Sequence, residues 1–313
     1  MIKRLLLKFL ATLVIIAFFI EIIPKKNKDI YLEKNLSVKK ISQILKENNI
    51  ISSKLLFMTF VKIFNLERKI KYGSYQLSFS LTTIPVIVRL VYGPKVIKIT
   101  IPEGFTSEQI AERLYHNNVI SDPVAFVMYV KSKNLEGFLF PETYFFYKGQ
   151  AIEDIVSKML KEFTNRFTDE FKKRAYQLKM STYQVVILAS IIEKEAKSFE
   201  EKQLVSAVFH NRLKKGWNLE SCATVRYALK KFKGPLTYKD TKVDSKFNTY
   251  RYPGLPPQPI CNPGLESIKA ALYPAQTDAM FFFTQDNNTH IFSKYYTQHI
   301  KKQNSKNYEK NKN

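Results

Sequence analysis

A carboxylate interrupts an apolar helical pattern near the middle of the chain, in Ile187-Leu-Ala-Ser-Ile-Ile-Glu-Lys-Glu-Ala196. At about 100° per residue Glu193 falls inside the arc of an apolar stripe. The stripe consists of Val185, Leu188, Ala189, Ile192 and Ala196, with Val186 and Ile191 at its margins. Glu195 falls on the opposite flank, about 200° from Glu193. Desolvation raises the pKa of a carboxyl group towards neutrality, which suits a general acid. The pattern predicts a catalytic acid, and the alternative is a solvated rim acid or a buried ion pair.

Other kinds of chemistry lack their motifs in this sequence. The four histidines show no H-E-x-x-H spacing and two cysteines cannot form a structural zinc site, so we expect no metal. Glycine-rich phosphate loops and a G-x-S-x-G elbow are absent as well. An ordinary glycosidase brackets one bond with two carboxylates, and Glu193 and Glu195 are poorly placed to do so. A single acid therefore needs a nucleophile from its substrate, and the Asn, Tyr and Arg residues nearby suit a sugar.

The first residues predict a membrane anchor. A cationic start precedes an apolar stretch from Leu5 to Ile23, which can nearly span a bilayer. The early basic residues favour a cytoplasmic N-terminus, so the rest of the chain is expected outside the cytoplasm. We expect residues 1–24 to be this cytoplasmic start and transmembrane helix. No A-x-A cleavage site follows, and a cleaved signal peptide is the alternative.

The chain has 313 residues, a formal charge of +23 and a pI near 9.7. Its lysines are scattered and it is expected to be exported, so we predict no nucleic-acid partner. Lipid headgroups and an anionic cell wall suit the charge better. Much of the charge is typical of a solvated surface. Cys222 and Cys261 would both lie in an oxidising compartment, and a disulfide between them is a hypothesis.

An internal repeat occupies the region 25–134. Residues 36–52 align without gaps on residues 105–121, so that Ile41 falls on Ile110 and the pair Asn48-Asn49 falls on Asn117-Asn118. Each copy predicts a Ser or Thr N-cap, an amphipathic helix, an Asn-Asn C-cap and a second helix. β-branched residues in 86–96 and 98–101 predict strands between the copies. The region is therefore expected to be a small α+β module, either binding glycan or acting as a spacer.

The remainder of the chain predicts a mixed α+β domain over 135–305, with a polar tail over 306–313. The fold class is thus α+β: a transmembrane helix, the repeat region and this domain. The Pro- and Gly-rich stretch from Asn248 to Gly264 predicts a long stiff loop. The other expected elements are helices at 152–178, 201–214 and 267–271, a hairpin of 280–284 with 290–293, and fraying from Lys301.

Several blocks of this domain, in order, resemble the endolytic murein transglycosylases, the YceG-like family. The resemblance implies a membrane anchor, a LysM-like domain, and a catalytic domain whose catalytic glutamate falls on Glu193. The matching blocks are Leu135–Tyr144, Leu188–Ala196, Val205–Gly216, Thr224–Tyr227, Asn248–Tyr250, Gly254–Gly264 and Ser267–Ala271.

The resemblance also implies the reaction. Glu193 would protonate the β-1,4 bond between N-acetylmuramic acid and N-acetylglucosamine, and its carboxylate would then deprotonate the muramic acid C6 hydroxyl, which closes onto C1. This cut, giving a 1,6-anhydro end, would terminate the elongation of nascent peptidoglycan strands at the cell membrane. The implied partners are peptidoglycan strands and the peptidoglycan synthases, with no cofactor.

Further positions match the family blocks and could either bind substrate or brace the loops. They are Glu142, Asn211, Arg212, Thr224, Tyr227, Asn248, Tyr250 and Asn262. Where many relatives read Leu-Gln-x-Asp-Pro-Thr-Val, this chain has Leu219-Glu-Ser-Cys-Ala-Thr-Val225. A membrane-tethered wall-binding scaffold without catalysis is the alternative function. The label aminodeoxychorismate lyase, sometimes attached to the family, fits badly because no lysine lies in a recognisable pyridoxal-phosphate context.

Overall fold

The computed structural model describes residues 27–78, 83–284 and 289–310 of the chain. Over those ranges the structure is α+β, and its strands form three two-stranded sheets. The described residues divide into two compact units. The first comprises the described residues up to 98, with 118–121 and 145–150. The second comprises 99–117, 122–144 and the described residues from 151 onward.

The first unit is built on an antiparallel strand pair in which Ile30 lies opposite Tyr75. Alternate residues of both strands are buried, as a sheet with one face on the core requires. Three helices complete a core around Leu45, Phe57 and Leu90. The elements are β1 (Asn27–Leu32), α1 (Val38–Glu47), α2 (Lys54–Ile63), β2 (Gly73–Ser78) and α3 (Thr83–Tyr92).

The helix α3 overturns one expectation from the sequence. The β-branched run from Val86 predicts a strand, but Val86, Ile87 and Leu90 lie on the buried side of a helix. Burial of that helical face in the core of the unit outweighs the intrinsic β-propensity of the residues. The strand expected next is confirmed as β3 (Val96–Thr100), which begins after Gly93.

The second copy of the repeat forms the helices α4 (Ser107–His116) and α5 (Pro123–Ser132). Thr106 is the N-cap and Asn117 the C-cap of α4, as Ser37 and Asn48 are for α1. The predicted helix caps of both copies are therefore confirmed. The α4 and α5 helices belong to the second unit, whereas α1 and α2 belong to the first.

The predicted fold class needs two corrections, although the α+β class itself stands. The predicted transmembrane anchor at residues 1–24 lies outside the described residues, and none of the helices that the structure describes is long and apolar enough to cross a bilayer. The predicted LysM-like repeat region does not form one body, because the helices of its two copies belong to different compact units.

The second unit is organised around α8 (Thr182–Glu195), in which every residue from Val185 to Ile192 is buried. The predicted apolar stripe accounts for one side of this helix only. Its other sides are also covered, because several helices pack around it. These are α7 (Asp169–Gln177), α9 (Phe199–Lys214), α10 (Cys222–Leu229) and α11 (Leu265–Leu272).

The single helix expected at 152–178 is in fact two, α6 (Ile152–Arg166) and α7. Thr168 has an extended backbone and opens α7, and two acidic residues follow it in the first turn, which favours a helix start there. The helix α9 confirms the prediction for 201–214 and begins slightly earlier, at the N-cap Ser198.

The remaining elements confirm the predicted loop and hairpin. Between Val243 and Gly264 the chain forms only turns and bends. The hairpin strands are antiparallel, with Phe282 opposite Phe292. The predicted fraying from Lys301 is wrong as far as Lys310, since that segment is helical. These elements are β4 (Thr143–Tyr147), paired with β3, then β5 (Phe281–Thr284), β6 (His290–Ser293) and α12 (Tyr296–Lys310).

The predicted disulfide is not formed. Cys222 is an exposed free thiol and Cys261 is a buried one. The Cys261 thiol donates to the carbonyl oxygen of Ser190 at 3.3 Å, inside the core of the second unit.

Candidate active site

Glu193 lies in the last turn of α8 with 8% of its side chain exposed. Its Oε2 accepts hydrogen bonds from the Gly264 N–H at 2.9 Å and the Ser267 hydroxyl at 2.7 Å. Its Oε1 lies 3.4 Å from Nζ of Lys202. Three donors therefore hold this carboxyl group in one place, and they stabilise its ionised form.

Two of the three donors belong to the N-terminus of α11. Gly264 is the N-cap residue of that helix, and Ser267 lies in its first turn. The unpaired N–H groups and the dipole of a helix N-terminus favour a negative charge. Because α8 and α11 pack together, the last turn of one helix brings Glu193 to the first turn of the other.

Lys202, the third donor, extends from α9 and is 2% exposed. A buried ammonium group is costly unless it is paired. Lys202 has two carboxylate partners, Glu193 and, at 3.7 Å, Glu266. Glu266 is 56% exposed, so the shielded pair with Glu193 is the stronger of the two interactions.

The turn between β3 and α4, which carries Glu103 and Gly104, lies against the Glu193 site. A Cβ atom on Gly264 would lie 1.8 Å from Oε1 of Glu103, so the Glu103 carboxyl group rests directly against the Gly264 backbone. The next residue, Gly104, has a φ of +75°, and a Cβ there would lie 3.5 Å from Cγ of Glu193. Partial burial, and after it the charge of Glu193, raise the pKa of Glu103, while Lys202 lowers it.

Asn262, which lies in the long Pro-rich loop, holds this turn by hydrogen bonds. Its backbone accepts from the Gly104 N–H at 2.9 Å and donates to the Phe105 carbonyl at 2.8 Å. Its buried side chain donates to Phe105 O at 2.9 Å and to Glu136 at 3.0 Å, and accepts from the Leu139 N–H at 2.9 Å. Asn262 was predicted either to bind substrate or to brace a loop, and these contacts are those of a brace.

Glu136 continues this network to the start of α4. It accepts from the Ser107 N–H at 3.1 and 3.2 Å and from the Ser107 hydroxyl at 2.5 Å. Burial raises the pKa of Glu136 to about 7, against the effect of the Ser107 hydrogen bonds. The buried Glu136 carboxyl group thus links the N-terminus of α4 to Asn262. The backbone of Asn262 is in turn hydrogen-bonded to Gly104, which lies against Glu193.

Glu195 is hydrogen-bonded to the N-terminus of a different helix, α10. Its Oε1 accepts from the Ser221 hydroxyl and from the Ala223 N–H, the latter at 3.4 Å. Ser221 is the N-cap of α10. Burial raises the pKa of Glu195, and the hydrogen bonds oppose that rise. The two acids of α8 therefore lie at the N-termini of two different helices.

Asn211 and Arg212 brace the segment before β5. Nδ2 of Asn211 donates to the carbonyl oxygens of Thr277 and Ala279, at 3.0 and 2.9 Å. Arg212 is buried, donates to Met280 O at 2.8 Å and forms an ion pair with Glu220 at 2.6 Å. These contacts assign both side chains to holding the backbone.

Thr224 and Asn248 hold the loop that precedes the Pro-rich stretch. Thr224 donates to Ser221 O at 2.8 Å and lies 2.9 Å from the Thr249 hydroxyl. Nδ2 of Asn248 donates to two backbone carbonyls, those of Thr241 at 2.9 Å and Val243 at 2.8 Å. Both side chains are fully buried.

The remaining predicted residues lie nearer the surface. Tyr227 accepts from Gln258 at 3.2 Å and lines a cavity of about 660 Å³. The Tyr250 hydroxyl lies 3.1 Å from the Cys222 thiol, in the segment that departs from the family pattern. Glu142 forms an exposed ion pair with Arg166 at 3.1 Å. Over the described ranges, no three His, Cys, Asp or Glu side chains converge as a metal-binding group.

A family model described as the YceG-like family matches residues 30–305. The chain belongs to the YceG-like family. A protein of Bacillus subtilis named endolytic murein transglycosylase is 33% identical to this YceG-like chain, over 88% of the chain and 84% of that protein. A Streptococcus pneumoniae protein of the same name is 26% identical over 82% of the chain, which spans only 54% of that relative.

A solved structure of this YceG-like family resembles the fold. It is a 2.6 Å crystal structure of a yceG-like protein from Listeria monocytogenes, 32% identical, with a TM-score of 0.57. The match covers 89% of this chain and 99% of the Listeria chain.

Four residues at the Glu193 site were not among those predicted from the sequence of this YceG-like chain: Glu103, Lys202, Glu266 and Ser267. Ser267 opens one of the blocks that carry the family resemblance. Lys202 carried a weak signal, because at the helical period it falls on the same face of α9 as Val205 and Phe209. Glu103 carried none beyond its place in a Pro-Glu-Gly turn.

Proposed function

We propose that this chain is an endolytic lytic transglycosylase, cleaving the β-1,4 bond between N-acetylmuramic acid and N-acetylglucosamine within peptidoglycan strands. The observation that carries the proposal is the Glu193 carboxyl group, which is fixed by three donors and still partly exposed. Membership of the YceG-like family and the relatives named endolytic murein transglycosylase support the choice of substrate.

The proposed reaction needs one acid that acts twice. Protonated Glu193 donates to the glycosidic oxygen, the bond from C1 of muramic acid breaks, and N-acetylglucosamine leaves with a free 4-hydroxyl. The Glu193 carboxylate then accepts the proton of the muramic acid C6 hydroxyl, and that oxygen bonds to C1. Glu193 regains its proton, no water is consumed, and the new end is a 1,6-anhydro sugar.

The proposed role is to end the elongation of nascent glycan strands. Such strands lie outside the cytoplasm, so the enzyme acts there, and the peptidoglycan synthases that make them are its proposed partners. Glu142, Asn211, Arg212, Thr224, Tyr227, Asn248, Tyr250 and Asn262 were considered for substrate contact. Among them we retain Tyr227, because it borders a cavity together with polar and aromatic residues.

The test is to incubate the full chain with uncrosslinked glycan strands and to analyse the products by mass spectrometry. The matched control is Glu193→Gln, which keeps the shape of the side chain and removes the acid. We expect anhydro-ended fragments from the unaltered chain and none from the variant. Folded protein that binds strands without cutting them would favour the scaffold function instead.

Hydrolysis is the second candidate, and one observation favours it. Glu103 brings a second carboxyl group next to Glu193, and paired carboxyl groups are what glycosidases use. The same mass spectra separate the two reactions. A hydrolase would yield reducing ends that carry an added water, whereas the transglycosylase yields anhydro ends.

A further inference from the structure

We propose that Glu103 is a positioning residue of the cleavage site, which keeps Glu193 able to hold its proton by placing a second negative charge beside it. The inference rests on the proposed function, because only an acid that donates a proton needs this help. It extends that function to a residue in the turn between β3 and α4, outside the helix that carries Glu193.

The geometry brings the two carboxyl groups to the same residue. Glu193 accepts the N–H of Gly264 at 2.9 Å, and Oε1 of Glu103 lies 1.8 Å from the position of a Cβ on Gly264. With standard backbone dimensions, these oxygens are within roughly 7 Å of each other. Gly104 follows Glu103 and lies against Glu193, so the turn is seated on α8 itself.

The other contacts of Glu193 create the need for such a charge. Lys202, the Gly264 N–H and the Ser267 hydroxyl all stabilise a carboxylate, the wrong form for the first proton transfer. A neighbouring carboxylate has the opposite effect, because two like charges at short range disfavour ionisation of both.

Two further charged groups face this place. Lys194 lies beside the turn, its Nζ being 3.1 Å from where a Cβ of Gly104 would be. Glu266 is mostly exposed and paired with Lys202. Two cations thus face two carboxylates other than Glu193, and removal of Glu103 would leave the cations in excess. The raised pKa of Glu103, to which the charge of Glu193 contributes, agrees with mutual repulsion.

The experiment compares kcat/KM for anhydro-end formation by the full chain, from about pH 5 to pH 9, with Glu103→Gln. We expect the alkaline limb of the profile to move to lower pH in the variant, by about one unit. The difference between the two profiles should shrink towards acid pH, because protonation of Glu103 removes the charge that distinguishes it from glutamine. Glu153→Gln is the control, since it removes an exposed carboxylate on a different helix, α6.

A second variant, Gly264→Ala, should move the Glu103 carboxylate away from Glu193 without changing the charge of any residue. Gly264 has a φ of −76°, which alanine adopts without strain, but the Cβ of Gly264→Ala occupies the place of the Glu103 carboxyl group. The displaced carboxylate should give the same shift of the alkaline limb. Thermal melting of each variant confirms that it is folded.

Two results would overturn the inference. An unchanged profile in Glu103→Gln means that Glu103 is a bystander, and an equal loss of rate at every pH with an unmoved limb means that it contacts the substrate instead. If the unaltered chain forms no anhydro ends, the proposed function fails before any variant is compared. If the unaltered chain does form anhydro ends, the proposed function stands and the variants test only the role of Glu103.

Discussion

Two acids in the last turn of α8, separated by Lys194, have different surroundings. Glu193 meets the N-terminus of α11 and a buried ammonium group, whereas Glu195 meets the N-terminus of α10 through Ser221. Both carboxyl groups compensate unpaired helix N–H groups, as helix caps do. The ion pair with Lys202 and the adjoining Glu103 distinguish the surroundings of Glu193 from those of Glu195.

The two acids should respond differently to the same substitution. Glu193→Gln is expected to reduce anhydro-end formation by about 10²-fold or more, the usual contribution of a general acid. It should also lower the melting temperature, because the buried Lys202 loses its shielded partner. Glu195→Gln should reduce it less than about tenfold and cost about 1 kcal/mol of stability, because a helix cap is weakened. Product analysis and urea unfolding of both variants measure these effects, and equal loss of activity would contradict the assignment of Glu193.

Lys202→Met removes a positive charge beside Glu193, whereas Glu103→Gln removes a negative one, so the two variants should have opposite effects. Removal of the buried cation takes away a group that stabilises the ionised Glu193, so the alkaline limb of the pH profile should move to higher pH, by about one unit. Methionine keeps most of the apolar stem of lysine. A limb that moves to lower pH, in a variant that melts normally, would count against the role given to Lys202.

At the scale of elements, the important connection is the one between α4 and the loop after α10. Asn262 joins the loop to the Glu103-Gly104 turn, and Glu136 joins Asn262 to the first turn of α4. A helix of the internal repeat thereby positions a residue beside Glu193. The network is buried, so its parts act together.

The buried Glu136 makes stability depend on pH. Its pKa is raised to about 7 in the fold from an ordinary 4.5, so between these values the folded protein retains a proton that the unfolded chain releases. Its contribution is therefore most favourable below about pH 4.5 and falls by about 3 kcal/mol as pH rises to about 7. Glu136→Gln should remove that part of the slope, which urea unfolding at several pH values measures. A wild-type slope that persists in the variant would assign it to other groups.

At the scale of the whole molecule, the two copies of the repeat contribute their helices to different compact units. The first is built into the core of the first unit, whereas the helices of the second lie in the unit that contains Glu193. Leu45 and Leu114 occupy matching positions and are both fully buried. One repeated pattern thus stabilises two different bodies.

Leucine-to-alanine substitutions at those two positions are a matched pair. Each should destabilise its own unit by about 2–5 kcal/mol, the range for a buried leucine. Hydrogen exchange should increase in β1, α1 and α2 for Leu45→Ala, and in α4 and α5 for Leu114→Ala. Cleavage should fall for Leu114→Ala, since α4 follows the turn that carries Glu103. Increased exchange of both units in either variant would show that they unfold together.

The sequence by itself was sufficient for features that depend on neighbouring residues. The caps Ser37 and Thr106, the Asn-Asn helix ends, the hairpin and the stiff loop follow from local backbone preferences. The helical period was also enough to mark Glu193 as an acid within an apolar face. Local preference failed at α3, where burial in the core decided between helix and strand.

Only the tertiary structure decided what surrounds Glu193. Lys202, Gly264, Ser267 and Glu103 come from α9, α11 and the turn before α4, and their spacing along the chain carries no sign that they meet. It also decided that Arg212, Asn248 and Asn262 hold backbone groups. A residue type states which hydrogen bonds and charges are available, but the partner that uses them is set by how distant helices pack.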